Sequence, residues 1–276
     1  MARTGKSKVA IAAGLVMAVC MAAAARGEQA GPGPPATTTA LPAPYSPECQ
    51  TGAAPVVTET PLPHVVAALQ KRKVVRILAI GASAGRRQGS YTHQIERLLR
   101  QALRGIDVVM INRGVSGELA ADAAHRIRNE VALTDPDLVI WQVGTNDALT
   151  FVPLDDLSYT ITSTVRWLKA HNVDVVLAGL QYVGRLSQDE HYYRVRELMR
   201  EIAAKQNVMI IRRYEATQFI AAAQANDGGF EPDEFERTEA GYGCLAQYLA
   251  SAITLGVFGK GISARPLRSQ PPQQKQ

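Results

Sequence analysis

Five short runs rich in valine and isoleucine set the strongest limit on what this chain can fold into. They are "VVRILAIG" (74–81), "IDVVMINRG" (106–114), "DLVIWQVG" (137–144), "DVVLAGLQ" (174–181) and "NVMIIRRY" (207–214). Each is apolar over most of its length rather than alternating, the pattern of strands buried on both faces of a parallel sheet. The stretches between them have helical spacing. "SYTHQIERLLRQAL" puts Ile95, Leu98, Leu99 and Leu103 on one side, and "LAADAAHRIRNEVAL", "SYTITSTVRWLKAH" and "YYRVRELMREIAAKQ" behave likewise. "EAGYGCLAQYLASAI" closes the series. Five β–α units of this length predict an open, doubly wound α/β sheet, and no internal repeat competes with that reading. With 276 residues, 46% of them hydrophobic, the chain suffices for one well-cored domain. In such sheets ligands sit beyond the carboxyl ends of the strands, so the polar residues ending each run carry the functional question.

The two ends of the chain read differently. Residues 1–25 have a cationic start ("MARTGKSK"), an apolar stretch ("VAIAAGLVMAVCMAAAA") and small residues at Ala22 to Ala25. This is the layout of a Sec-type signal peptide, cleaved on the way to a secreted or periplasmic location; the competing reading is an N-terminal membrane anchor. Cleavage removes Arg3, Lys6 and Lys8 and no acidic residue, lowering the formal charge from +5 to about +2. The basic pI therefore belongs largely to the leader and gives no case for nucleic-acid binding, nor for stable membrane insertion afterwards. Residues 26–70 form a Pro/Thr/Ala-rich linker and N-terminal extension, whose first part (26–60) is too polar and Pro-rich to bury a core. The domain is expected over 71–260, with a frayed tail over 261–276. Two cysteines survive the leader, Cys49 and Cys244. In an oxidising compartment they can pair and tie the extension to the last helix; two free thiols are the alternative.

The first strand runs into "IGASAGRRQGS". Gly81 and Gly85 allow a tight strand-to-helix turn with Ser83 at its apex, where helix N–H groups stabilise developing negative charge; a plain helix cap is the competing role. No Gly-Lys-Ser/Thr follows, which excludes a phosphate loop, and Gly81 and Gly85 are too far apart for a dinucleotide fingerprint. The second strand ends "INRGVSGE", where Gly114 lets backbone approach a substrate without a side chain between. The third ends "VGTNDA". An Asn146 amide there can donate to an oxyanion, while Asp147 suits a brace for the loop.

Together, the serine after strand one, "NRGVSGE" and "GTND" resemble the SGNH (GDSL-type) hydrolase superfamily over roughly residues 74–256. The resemblance implies a flavodoxin-like three-layer α/β/α sandwich with a five-stranded parallel sheet. It also implies hydrolysis of acyl or acetyl esters through an acyl-serine intermediate, with a small-molecule or glycan ester as substrate and no cofactor or metal. Ser83 becomes the nucleophile, and its own N–H, the Gly114 N–H and the Asn146 side chain become the oxyanion hole. Two positions depart from the pattern. Ala82 replaces an aspartate before the nucleophile. In "PDEFERTEAGY" Asp233, Gly241 and Tyr242 match, but Glu236 stands where the family has its catalytic histidine. A Ser83–Glu236 dyad assisted by Asp233 is the resulting expectation, slower because glutamate is the weaker proton acceptor.

Among the histidines, His191 follows strand four and begins a helix, so it is the replacement candidate on the active-site side. His93 and His125 fall inside helices, His171 ends one, and His64 precedes the domain. A second class of function is an SGNH domain without turnover that binds a glycan or acyl ligand. "GASAG" also satisfies the Gly-x-Ser-x-Gly of α/β-hydrolases. That fold needs a histidine late in the chain, and none follows His191.

Overall fold

The computed structural model describes residues 45–52, 56–81, 91–224 and 231–259. The expected signal peptide, residues 26–44 and 53–55 of the linker and extension, the tail and Ser83 itself lie outside these residues. All five expected strands form: β1 (Val74–Gly81), β2 (Asp107–Gly114), β3 (Leu138–Gln142), β4 (Asp174–Ala178) and β5 (Met209–Ile211). They make one parallel sheet in the order β2-β1-β3-β4-β5. Every residue of β3, β4 and β5 is buried, as their uninterrupted apolar runs require.

Helices cover both faces. On one side α2 (Tyr91–Ala102) packs against α9 (Glu239–Phe258), whose Leu245, Leu249 and Ile253 share a core with Ile77, Ile140 and Val176. On the other, α3 (Ala120–Thr134), α5 (Leu154–Ala170) and α6 (Glu190–Gln206) cover Leu78, Ile80, Val139 and Trp141. Because strand side chains alternate between faces, Ile77 and Leu78 serve opposite cores. The α9 helix is long and apolar enough to cross a membrane, but 61% of its most apolar window is buried inside the protein. Its apolarity is that of a core helix.

Ordered packing starts earlier than residue 71. Helix α1 (Pro63–Arg72) opens with Pro63 in its first turn, where a missing N–H costs nothing, and ends at Lys73 in the left-handed region (φ 54°). Leu62 and Val65 are buried in the α9-side core, and Asp174 accepts hydrogen bonds from the His64 and Val65 N–H groups at 2.9 and 3.0 Å. Parts of the 26–60 stretch are docked as well. Val57 bridges Ile211 antiparallel at the sheet edge, and Val56 is buried. Cys49 is bonded to Cys244 of α9, Tyr248 donates to the Cys49 carbonyl at 2.6 Å, and Ser46 and Gln247 exchange two hydrogen bonds. The low apolar content of this stretch predicts no core of its own. It borrows the core of α9 instead.

Candidate active site

β1 lies between β2 and β3, and Gly81 is in register with Gly114 on one side and Gln142 on the other. The chain therefore leaves the sheet two residues before Ser83, between the loops that follow β2 and β3. This is the crevice where successive connections of a doubly wound sheet part to opposite faces. Only glycine fits at 81: its φ is +106°, and a Cβ there would stand 1.9 Å from the Gln142 carbonyl oxygen.

After β3 the chain turns at Gly144 (φ +103°) into the short helix α4 (Thr145–Leu149). Asp147 is a brace, as its loop position suggests. One carboxylate oxygen accepts from the Gly144 N–H at 3.2 Å and the other from the Ala120 N–H, in the first turn of α3, at 2.8 Å. Burial nevertheless pushes its carboxyl above the usual range, the backbone donors opposing the shift. Asn146, held between these anchors, donates from Nδ2 to the Glu118 carbonyl at 2.9 Å. An amide nitrogen carries two hydrogens, so this bond fixes which atom is Nδ2 and leaves one N–H for a ligand.

The β2 loop supplies backbone differently from the sequence expectation. The Gly114 N–H donates to the Asn112 side chain at 3.1 Å, which engages the donor assigned to the oxyanion hole. Val115 N–H continues onto the Gly81 carbonyl at 3.1 Å, and the loop then turns through Gly117 (φ +80°). Gly117 immediately precedes Glu118, whose carbonyl Asn146 holds, and beyond its chain neighbours no atom of a described residue lies within 4 Å of where its Cβ would be. It adjoins the contact that Asn146 makes. The second glycine of "NRGVSGE" was the available signal; assigning the backbone donor to the first passed over it.

Glu236 is buried, at the mouth of the segment between α8 (Pro232–Phe235) and α9. Its Oε2 pairs with Arg213 at 2.7 Å, and its Oε1 accepts from the Thr217 hydroxyl at 2.7 Å and the Tyr182 N–H at 3.0 Å. Arg213 and Thr217 belong to α7 (Arg213–Gln224). Three donors on two oxygens make this carboxylate a tie between α7, the β4 loop and the α8–α9 segment. Asp233 has a similar job, accepting from the Gly184 N–H at 2.6 Å. The two acids share the α8 region and accept from the same β4–α6 loop, two residues apart at Tyr182 and Gly184. His191 stacks on the exposed Phe151, ring centres 5.2 Å apart, and its Nε2 is buried without a partner among the described residues.

A model of the Non-GDSL lipase-like family matches residues 48–258. The chain belongs to that family. Its name suits the Gly81-Ala82-Ser83 sequence, in which the aspartate of Gly-Asp-Ser is absent. The match begins in the docked extension beside Cys49, ahead of α1, so the family's extent agrees with the packed structure. No curated protein matches the chain. Among solved structures it is similar to the acetyl xylan esterase AlAXEase (21% identity, TM-score 0.57, covering 65% of this chain and 100% of that one). A lipase/acylhydrolase from Enterococcus faecalis (21%, TM-score 0.53, covering 65% and 95%) and TesA (19%, TM-score 0.51, covering 65% and 97%) are also similar. At these identities the likeness establishes the fold: this chain has the α/β architecture of these esterases, as the strand pattern and strand-end motifs led one to expect.

Proposed function

We propose that this chain is an exported, slow ester hydrolase working through an acyl-serine at Ser83. The observation that carries the reading is the Asn146 side chain, clamped on the Glu118 carbonyl four residues past Gln142, the register partner of Gly81 at the end of β1. In the proposed reaction the Ser83 oxygen bonds to the ester carbonyl carbon. The resulting oxyanion takes hydrogen bonds from the Asn146 amide and from backbone N–H groups at Ser83 and in the Gly117 turn. Collapse expels the alcohol, and water then cleaves the acyl-serine. Glu236, filled by Arg213, Thr217 and Tyr182, holds the loops in this reading, and the serine proton passes to solvent. Oxyanion stabilisation and binding alone give about 10³–10⁴-fold over water; attack by Ser83 without the usual base adds slowly to that floor, and this serine-dependent part is what Ser83→Ala removes.

Two apolar side chains are exposed close along the chain to the clamp, one before Glu118 and one after Asn146. Val115 is 47% exposed and Phe151 65% exposed, surfaces suited to the acyl side of a small-molecule or glycan ester. Export is supported by the Cys49–Cys244 bond, a linkage at home in oxidising compartments, and by the signal-like residues 1–25.

The test is hydrolysis of short-chain p-nitrophenyl esters by the wild type and Ser83→Ala over a range of pH. The expected result is slow hydrolysis lost in Ser83→Ala, with a rate that climbs with pH and shows no inflection near the ordinary histidine value of about 6.5. Equal rates for the two proteins favour the second reading, a fold retained for binding a glycan or acyl ligand. The occupied Glu236 is the observation behind that alternative.

A further inference from the structure

Arg126, in the middle of α3, touches both ends of the loop that carries Gly117. Its Nη1 pairs with Glu118 Oε1 at 2.6 Å, and its Nη2 donates to the Arg113 carbonyl, where the loop leaves β2. Between these two points lie Gly114, Val115, Ser116 and Gly117. The Glu118 side chain is only 3% exposed, and its own carbonyl is the acceptor for Asn146 Nδ2. One planar guanidinium therefore spans the loop's mouth, and the loop in turn orients the amide.

The chemistry selects arginine for this place. Its donors are fixed in a fork, so engaging a carboxylate and a carbonyl in different directions also fixes their separation. Lysine presents a point charge on a flexible stem and cannot hold both at set angles. The other contacts of the loop leave this job undone. Val115 N–H ties one residue to Gly81, and Asp147 ties α4 to α3 rather than to the loop.

We infer that Arg126 is a positioning residue for the oxyanion hole, holding, through Glu118, the Asn146 amide in donating geometry. This rests on the ester-hydrolase reading for its catalytic consequence but not for its structural one. Arg126 touches no reacting atom. Its effect passes through Asn146.

A double-mutant cycle between Arg126→Met and Asn146→Ala reads that dependence, because residues acting through one another are non-additive. Removing one oxyanion donor typically lowers kcat about 10²–10³-fold. Misplacing one should cost less, so Arg126→Met is expected to lower kcat about tenfold or more with KM within about twofold. In the Asn146→Ala background the same change should cost less than about threefold. Arg126→Lys should fall between wild type and Met. An equal effect in both backgrounds, or a change confined to KM, overturns the inference.

The side-chain amide of Asn146, followed by ¹⁵N NMR in the wild type and Arg126→Met, gives a readout that needs no activity. Loss of its hydrogen-exchange protection in a spectrum otherwise dispersed like wild type supports positioning. Retained protection overturns it. If Ser83→Ala leaves hydrolysis unchanged, the hydrolase reading fails, while the amide measurement still decides the role of Arg126. Should Arg126→Met not fold, Arg126→Lys carries the same two measurements.

Discussion

Two arginine–glutamate pairs flank the carboxyl ends of the sheet, one with a half-buried arginine and one wholly buried, and they are built in opposite ways. In the first, Glu118–Arg126, the arginine makes two contacts across a loop while Glu118 Oε2 has no partner among the described residues. In the second, Glu236–Arg213, the glutamate is saturated by three donors and Arg213 Nη1 is the atom without a described partner. One pair holds the backbone of the proposed oxyanion hole. The other fastens three elements at the position where the sequence resemblance places a histidine. A buried carboxylate at a strand end is therefore no sign of chemistry by itself; what distinguishes the two is which atoms the pair leaves for others.

The contrast can be broken most severely at Glu236. Glu236→Leu strands the Arg213 charge in a site where that side chain is 4% exposed, and breaking a buried pair costs roughly 3–5 kcal/mol. Urea unfolding should show that loss. The double change Arg213→Met with Glu236→Leu should recover most of it, since an apolar pair of similar volume is often near neutral. Glu236→His, designed to restore the superfamily's base, should behave like Glu236→Leu and fail to raise activity while Arg213 remains.

Glu118 offers a smaller, pH-dependent effect. Burial raises its carboxyl above the usual range, Arg126 opposing. The folded protein therefore binds this proton more tightly than the unfolded chain. Stability from that source is full below the unfolded value of about 4.3 and is lost as pH rises through the raised folded value. Glu118→Gln cannot titrate, so the wild type's advantage over it should grow on acidification from neutral pH. An advantage that shrinks on acidification would mean that the Arg126 attraction outweighs burial.

The smallest change is expected at His191. A positioned base contributes roughly 10²–10⁴-fold. With its ring stacked on Phe151, His191→Asn should alter hydrolysis by less than about twofold. A larger fall would make His191 the missing imidazole and remove the reason for treating Glu236 as purely a tie.

Strand positions were legible because parallel strands buried on both faces are apolar over most of their length, as β3, β4 and β5 are; the edge strand β2 is largely half-buried and was found by the same apolar start. Asp147 was legible too, since a carboxylate three residues past a turning glycine has few other uses. Three features were hidden for distinct reasons. The occupation of Glu236 depends on Arg213 and Thr217, which a single sequence gives no way to bring within reach of residue 236. The choice between Gly114 and Gly117 turns on the Asn112 side chain, which takes up the first glycine's N–H. The docked extension lacks periodicity of its own because its order comes from α9, nearly two hundred residues away along the chain.

That last contact has a temporal side. Residues 49 and 244 bracket every strand of the sheet, so their sulfurs cannot meet until all five strands and the start of α9 have been made. Oxidation is then a seal applied to a finished fold. Within that ring a single backbone cut leaves one covalent molecule, its two pieces still sharing a bond until a reductant reaches a cystine that the core keeps from solvent.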